Sequence, residues 1–245
     1  MTRTPIFRKF ACRLATIAAC WSPSGVALSD ETPCSDDAML VFDASGSMMN
    51  LTDIGPPRID LARIAAHQVI PAAARNRNLG LMTYGPGGAD QCVNIQLKVP
   101  PQPDAAEAIL AEIDNITTEG ETPLSSAVEA AAEALDYRHR PAVVVVLTDG
   151  DENCGRDPCE VARALAANAY RLTVHIIGFK LGERPRFHAA CFAEETNGLF
   201  VPTNSIEELT DALSNTLVCP QITEAAQSQP SNSRRDGIHK LSGKY

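Results

Sequence analysis

Acidic and hydroxyl side chains cluster in a short run directly after an apolar stretch of the chain. Asp43, Ser45 and Ser47 follow residues 39–42, which are apolar and predict a buried strand. These side chains would then lie in a tight turn at the carboxyl end of a strand, where open α/β sheets bind their ligands. Oxygen ligands on such a loop suit a hard divalent cation such as Mg²⁺. The pattern therefore predicts a binding site rather than a catalytic centre.

Two further loops are expected at the same edge of the sheet. Thr122 precedes Pro123 at the start of a predicted helix, and Asp149 follows the valine-rich residues 142–147, which predict a central strand. If that strand lies beside residues 39–42, the two aspartates are neighbours. The predicted ligands of a Mg²⁺ ion (or Mn²⁺ or Ca²⁺) are Asp43, Ser45, Ser47, Thr122 and Asp149. Two carboxylates nearly neutralise the ion, which can then accept an Asp or Glu carboxylate from a partner protein.

Each of these loops also has an ordinary structural explanation. Asp and Ser after a strand often make turns or cap helices, Asp149 with Gly150 is a common turn, and Thr122 with Pro123 is a common helix entry. A protein that kept only the fold would be a non-adhesive structural scaffold. The combination of all three loops favours the metal site.

Enzyme signatures are missing from the sequence, which predicts that the protein is not an enzyme. It contains no Gly-x-Ser-x-Gly elbow, no phosphate-binding loop and no His-Glu-x-x-His, and residues 85–88 lack the dinucleotide-binding pattern. The enzyme alternative is a metal-dependent, phosphatase-like hydrolase with Asp43 as nucleophile. Such enzymes usually carry a second aspartate two positions later, where this chain has Ser45.

Strands and helices alternate along the chain. The alternation predicts an α/β fold: a doubly wound, mostly parallel six-stranded sheet with helices on both faces. Predicted strands are 39–42, 79–84, 93–99, 142–147, 172–177 and 199–201, and predicted helices are 59–70, 104–113, 124–135, 158–167, 185–196 and a last one capped by Ser205 and ending at Leu217. The Gly-rich link after residue 84 indicates a hairpin, so the strand at 93–99 is expected to be an antiparallel edge.

The N-terminus predicts export. A basic start is followed by a short apolar stretch, and small residues surround Ser29, which indicates a signal peptide over residues 1–29. A short linker (30–37), the main domain (38–219) and a disordered, polar C-terminal tail (220–245) follow. The expected location is periplasmic or secreted. Alternatively, residues 17–20 resemble a lipoprotein box, in which Cys20 would anchor the protein to the membrane.

Cysteine usage agrees with export. Beyond the two cysteines of the predicted signal peptide, an even number remains: Cys34, Cys92, Cys154, Cys159, Cys191 and Cys219. Such a set predicts disulfides. Cys34 and Cys219 flank the domain and are expected to pair. Either Cys154 and Cys159 close a small loop, or Cys159 pairs with Cys191 and leaves Cys92 for Cys154. A thiolate zinc site is disfavoured because no Cys-x-x-Cys spacing occurs.

Charge narrows the class of partner. The formal net charge of −9 argues against nucleic acid or an anionic membrane as the main partner.

The five histidines are scattered and are not expected to be ligands. Asp151 and Glu152 follow the site and are expected in a solvated turn, while Pro56, Pro57 and Arg58 are placed to form a recognition rim.

The three loops together resemble the von Willebrand factor type A domain from about residue 38 to residue 217. The motifs that carry the resemblance are the sequences at 43–48, 120–124 and 147–150. The resemblance implies a metal-ion-dependent adhesion site whose ligands correspond, position by position, to the five residues named above. It also implies a single antiparallel edge strand and metal-dependent binding of a protein ligand without turnover.

Overall fold

A computed structural model describes residues 36–53, 55–85, 92–181 and 188–218. Several predictions therefore fall outside the described residues. They concern the signal peptide, the lipid anchor at Cys20, the linker up to residue 35, the Cys34–Cys219 pair and the C-terminal tail. Within the described ranges, no helix combines the length and the apolar composition that a membrane crossing requires.

A six-stranded sheet forms the centre of the described domain. Its spatial order is β3-β2-β1-β4-β5-β6, and every neighbouring pair is parallel except β2 with β3. The strands are β1 (Asp37–Asp43), β2 (Leu79–Tyr84), β3 (Ile95–Gln102), β4 (Pro141–Thr148), β5 (Arg171–Phe179) and β6 (Phe200–Thr203). The predicted fold class is confirmed, including the single antiparallel edge strand.

Helices cover both faces of this sheet. They are α1 (Arg58–Ala73), α2 (Ala106–Asp114), α3 (Leu124–Ala134), α4 (Pro158–Asn168), α5 (Ala190–Glu195) and α6 (Ile206–Leu217). One core packs α1, α2 and α6 against Leu40 and Phe42 of β1, and the other packs α3, α4 and α5 against Met39 and Val41. Because β1 and β4 are covered on both faces, their sequences are almost continuously apolar.

Most element boundaries differ from the prediction by one to three residues, for local reasons. Helix α1 continues through Pro71 to Ala73, because a proline in the last turn removes only one hydrogen bond close to the helix end. Helix α2 begins at Ala106 rather than at Asp104, which has a positive φ of 52°. Helix α5 was predicted from residue 185; residues 182–187 are outside the described part, and the helix begins at Ala190. The predicted cap of α6 is confirmed, since the Ser205 side chain accepts from Glu208 N at 3.2 Å.

Two disulfides join the described elements. Cys92 pairs with Cys154 and Cys159 pairs with Cys191, with Cα–Cα separations of 5.5 and 5.0 Å. This is the second of the two predicted arrangements, and the small Cys154–Cys159 loop is wrong. Asp157 caps α4 and places Cys159 in its first turn, where it faces the neighbouring helix α5. The Cys92–Cys154 bridge joins residues that are farther apart in sequence than Cys159 and Cys191 are. It anchors the loop that follows Asp149.

Candidate metal site

All five predicted ligands converge at the carboxyl end of β1 and β4. Asp43 is the last residue of β1, and Asp149 directly follows β4. The two strands are neighbours, with Phe42 opposite Leu147, so the aspartates meet across one ladder. Asp43, Ser45, Thr122 and Asp149 are at most 4% exposed, and Ser47 is half-buried.

Hydrogen bonds hold the carboxylates and serines in one cluster. The Ser45 N–H donates to Asp43 Oδ1 at 2.8 Å, which tightens the turn after β1. The hydroxyls of Ser45 and Ser47 are 3.0 Å apart, and Ser47 Oγ donates to Asp149 Oδ1 at 2.6 Å. Thr148 Oγ1 donates to Asp43 Oδ2 at 2.8 Å. The Ser45–Ser47 hydroxyl pair and a longer bond from Asp149 N to Asp43 Oδ2, at 3.4 Å, therefore join the two aspartates into one network.

Gly85 allows the β1 loop to fold closely over the end of β2. Its φ is +97°, and a Cβ at this position would lie 2.6 Å from Ser45 N. Only glycine permits both this conformation and this approach. Ala44 N also donates to Tyr84 O at 2.9 Å, so the loop is fixed to the neighbouring strand.

Thr122 is positioned by backbone contacts to both other loops. Gly46 N donates to Gly120 O at 3.1 Å, which joins the Thr122 loop to the β1 loop. Thr122 N donates to Asn153 Oδ1 at 2.7 Å, which joins it to the loop after β4. Gly150 leaves space between the hydroxyls, because a Cβ there would lie 3.7 Å from Thr122 Oγ1 and 3.9 Å from Ser47 Oγ. Both hydroxyls thus face one small gap.

Burial sets the electrostatics of this cluster. Burial, and then the charge of Asp149, raises the pKa of Asp43, while hydrogen bonds from Ser45 and Thr148 lower it. Burial, and then the charge of Asp43, also raises the pKa of the Tyr84 hydroxyl well above its usual value. That hydroxyl lies near Asp43 without making a well-aligned hydrogen bond to the described residues. Two buried carboxylates side by side favour a bound cation.

The donor set fits a hard divalent ion. Within the ranges that the structure covers, no three His, Cys, Asp or Glu side chains surround a common point, so a thiolate or imidazole centre is not formed there. The five side chains instead offer two carboxylates and three hydroxyls, all oxygen donors. Mg²⁺ prefers such donors and usually keeps several waters when few carboxylates hold it.

Three residues with roles at this site were not predicted. Arg58 Nη1 forms an ion pair with Asp149 Oδ2 at 2.6 Å, although its sequence position indicated only a rim residue. Glu152 is not in a solvated turn: it accepts from Ser125 N and Cys154 N, both at 2.7 Å, and so caps α3. Asn153 holds Thr122. Glu152 and Asn153 lie just after Asp149 in the sequence, and this position is the signal that could have indicated their roles. For Arg58 the sequence offers no signal other than its place in the loop after the metal-binding run.

Comparisons with known proteins agree with the fold and the motifs. Residues 38–152 match the family model of the von Willebrand factor type A domain. The matched range includes all three loops that carry the predicted ligands. A bacterial relative is the uncharacterized protein YwmD of Bacillus subtilis (strain 168), which is 26% identical over 78% of this chain and 88% of its own.

Solved structures of type A domains share the same architecture. The SpRpn10 VWA domain superposes with a TM-score of 0.60 at 18% identity, covering 77% of this chain and 99% of that one. Proximal thread matrix protein 1 from the mussel byssus, solved with a zinc-occupied MIDAS motif, gives a TM-score of 0.53 at 20% identity, covering 75% and 46%. At these identities the similarity shows the fold alone.

Proposed function

We propose that this type A domain binds a divalent cation through Asp43, Ser45, Ser47, Thr122 and Asp149, and binds a partner protein through that ion. The observation that carries the proposal is the convergence of three loops on two buried, adjacent carboxylates and three hydroxyls. When bound, the ion would supply a Lewis-acidic position that accepts an Asp or Glu carboxylate of the partner. Binding, and not turnover, is the proposed activity.

Burial of the carboxylates supports binding over hydrolysis. Asp43 is fully buried, and its oxygens accept hydrogen bonds from Ser45 N and Thr148 Oγ1. A carboxylate nucleophile must reach its substrate, and the full burial of Asp43 disfavours that approach. Among the residues described, no ion pair joins Asp43 to a Lys, Arg or His, and Arg58, the arginine of this cluster, is already paired with Asp149.

Disulfides support an exported protein. Bridges such as Cys92–Cys154 and Cys159–Cys191 are typical of an oxidising compartment such as the periplasm or the extracellular space. Reduction would release Cys154 and Cys159, which both follow Asp149 in the chain, from Cys92 and Cys191. The proposed partner is therefore a protein met outside the cytoplasm.

Calorimetric titration with Mg²⁺, Mn²⁺ and Ca²⁺ tests the metal site. We expect saturable binding by the wild type, loss of binding in Asp43→Ala, and weakening of about tenfold or more in Thr122→Ala, because one ligand of the ion is removed. Asp114→Ala is the matched control, since Asp114 pairs with His67 on the exposed side of the fold. If Asp43→Ala keeps the wild-type affinity, the site is assigned wrongly.

The partner chemistry needs a separate measurement. Peptides that carry a single Glu, and matched peptides with Gln in its place, are titrated against the protein with Mg²⁺ or with a chelator. We expect the Glu peptides alone to bind, and only with the ion present. A wild type that binds metal yet shows no preference for carboxylate would leave a scaffold in which the ion only stabilises the fold.

A further inference from the structure

Arg58 occupies a position inside the candidate metal site. Its Nη1 lies 2.6 Å from Asp149 Oδ2, and the Asp149 side chain is fully buried while that of Arg58 is 21% exposed. The other oxygen of the same carboxylate accepts from Ser47 Oγ at 2.6 Å. Both oxygens of one of the two acidic ligands are therefore already in contact with donors of this chain.

We infer that Arg58 is an internal counter-cation, which a metal ion must displace from Asp149 before the site can bind it fully. This inference rests on the proposed function and names a regulatory residue of the same site. A guanidinium and a divalent ion repel each other at short range, and the repulsion is strong where both are partly buried. With Arg58 in place, the two aspartates present one net negative charge to an incoming ion instead of two.

The hydrogen-bond donors of the Arg58 side chain are only partly paired. Its Nε is buried and has no hydrogen-bond partner among the described residues, although its Nη1 makes the short ion pair. A buried donor without a partner costs free energy. The guanidinium is thus held by the charge of Asp149 more than by a complete network, and compensation of that charge by a metal removes the main attraction.

A cavity beside the site offers Arg58 a second position. It has a volume of about 320 Å³ and is lined by Leu51, Thr52, Asp53, Arg58, Lys180 and Asn204. Asp53 is 94% exposed and pairs with Lys180 at 3.2 Å. It can receive a displaced guanidinium at the surface, where little desolvation is required.

Only the side chain of Arg58 has to move. The backbone N of Arg58 donates to Asn50 O at 3.1 Å, and Arg58 is the first residue of helix α1. The helix and the loop can keep their places while the guanidinium turns from Asp149 to the cavity. A rotamer change of this kind needs no rearrangement of the sheet.

Calorimetry of two matched variants tests the inference. Arg58→Gln and Lys180→Gln each remove one positive charge and line the same cavity, but only Arg58 contacts Asp149. We expect Mg²⁺ and Mn²⁺ to bind Arg58→Gln about tenfold more tightly than the wild type, and Lys180→Gln within about threefold of it. Equal affinities for the two variants, or weaker binding by Arg58→Gln, would overturn the inference.

Thermal unfolding gives a second readout that does not depend on calorimetry. In a chelator, Arg58→Gln is expected to melt below the wild type, because Asp149 is left buried without its cation. In saturating Mg²⁺ this deficit should shrink or reverse. Arg58→Lys keeps the charge on a shorter, single-point donor and should be intermediate in both measurements, which keeps the test valid if Arg58→Gln folds poorly.

The outcomes separate this inference from the proposed function. Binding by the wild type that is lost in Asp43→Ala but unchanged in Arg58→Gln removes only the role of Arg58. No binding by the wild type, Arg58→Gln or Lys180→Gln removes the metal site itself and this inference with it. Binding by Arg58→Gln in the absence of detectable wild-type binding supports both.

Discussion

The two ends of strand β1 carry the same kind of side chain in opposite electrostatic settings. At the amino end, Asp36 and Asp37 meet arginines: Asp36 pairs with Arg171 at 2.8 Å, and Asp37 pairs with Arg140 at 3.4 Å. At the carboxyl end, Asp43 is fully buried, and in the described part of the chain it has hydrogen-bond donors but no cationic partner. The acidic side chains at the amino end of β1 are therefore paired with arginines. At the carboxyl end, Asp43 has no cationic partner among the described residues.

This difference distinguishes a structural use of aspartate from a binding use. Partly exposed acids with arginine partners are compensated within the fold and need no ligand. Two adjacent buried carboxylates, of which only Asp149 has an arginine partner, remain short of charge compensation, and a divalent ion can supply it. Variants at the amino end should therefore change stability without changing metal affinity, whereas variants at the carboxyl end should change metal affinity.

Substitution of Arg77, beside the amino end of β1, is expected to give the largest change in stability. It is 7% exposed, and its guanidinium donates to the backbone oxygens of Asp36, at 2.8 and 3.0 Å, and of Leu217, at 3.3 Å. Arg77→Met leaves these two carbonyls without their arginine donor and is expected to lower the free energy of unfolding by about 2–4 kcal/mol. Metal affinity should not change, since the strand separates the two ends by about 20 Å.

Urea unfolding and calorimetric titration of the same samples measure both quantities. Arg75→Met is the control, because Arg75 is exposed two residues away. The contrast between the two ends fails if Arg77→Met is no more destabilising than the control, or if it weakens Mg²⁺ binding.

Asp43 gives an intermediate effect with a defined pH dependence. Burial, and then the charge of Asp149, raises the pKa of Asp43, so between the unfolded and the folded pKa the folded protein binds more protons than the unfolded chain. Without metal, this contribution to stability is fully present below the unfolded value of 3.8 and is lost as the pH rises through the folded pKa. Asp43→Asn should remove this dependence and stabilise the metal-free protein at neutral pH by roughly 1 kcal/mol.

The asparagine variant can keep the local hydrogen bonds. Its amide oxygen can accept from Ser45 N, while Thr148 Oγ1 can donate to Gly150 O, which already lies 3.0 Å away. Unfolding is followed in urea at several pH values with a chelator, and the difference between wild type and variant reports Asp43 alone. If the free energies of unfolding of the two proteins changed with pH in parallel, ionisation of Asp43 would not destabilise the folded state.

Local patterns in the sequence predicted the sheet and the convergence of the ligand loops. The valine run of β4 and the apolar run of β1 are uninterrupted because both strands are covered on two faces, and Asp43 and Asp149 directly follow them. The Arg58–Asp149 pair could not be predicted, because the end of a long side chain is placed by tertiary packing rather than by its neighbours in sequence. The sequence leaves the disulfide pairing open for the same reason, since the Cys159–Cys191 bridge depends on how closely α4 packs against α5.

The Asp36–Arg171 pair provides the smallest expected effect and the sharpest contrast with Asp43. Arg171 Nη2 contacts both carboxylate oxygens, at 2.8 and 3.0 Å, but the side chains are 53% and 22% exposed for Arg171 and Asp36. Water and salt screen such a pair, so a double-mutant cycle with Asp36→Asn and Arg171→Gln should give a coupling free energy below about 1 kcal/mol. The coupling should fall further when the salt concentration is raised.

A coupling well above that value, unchanged by salt, would mean that the amino end also holds a strongly constrained charge. The two ends of β1 would then differ in the identity of the compensating cation and not in the need for one. A small, salt-sensitive coupling together with the pH effect at Asp43 would support the opposite conclusion, that the unmet charge of this sheet is confined to its carboxyl end.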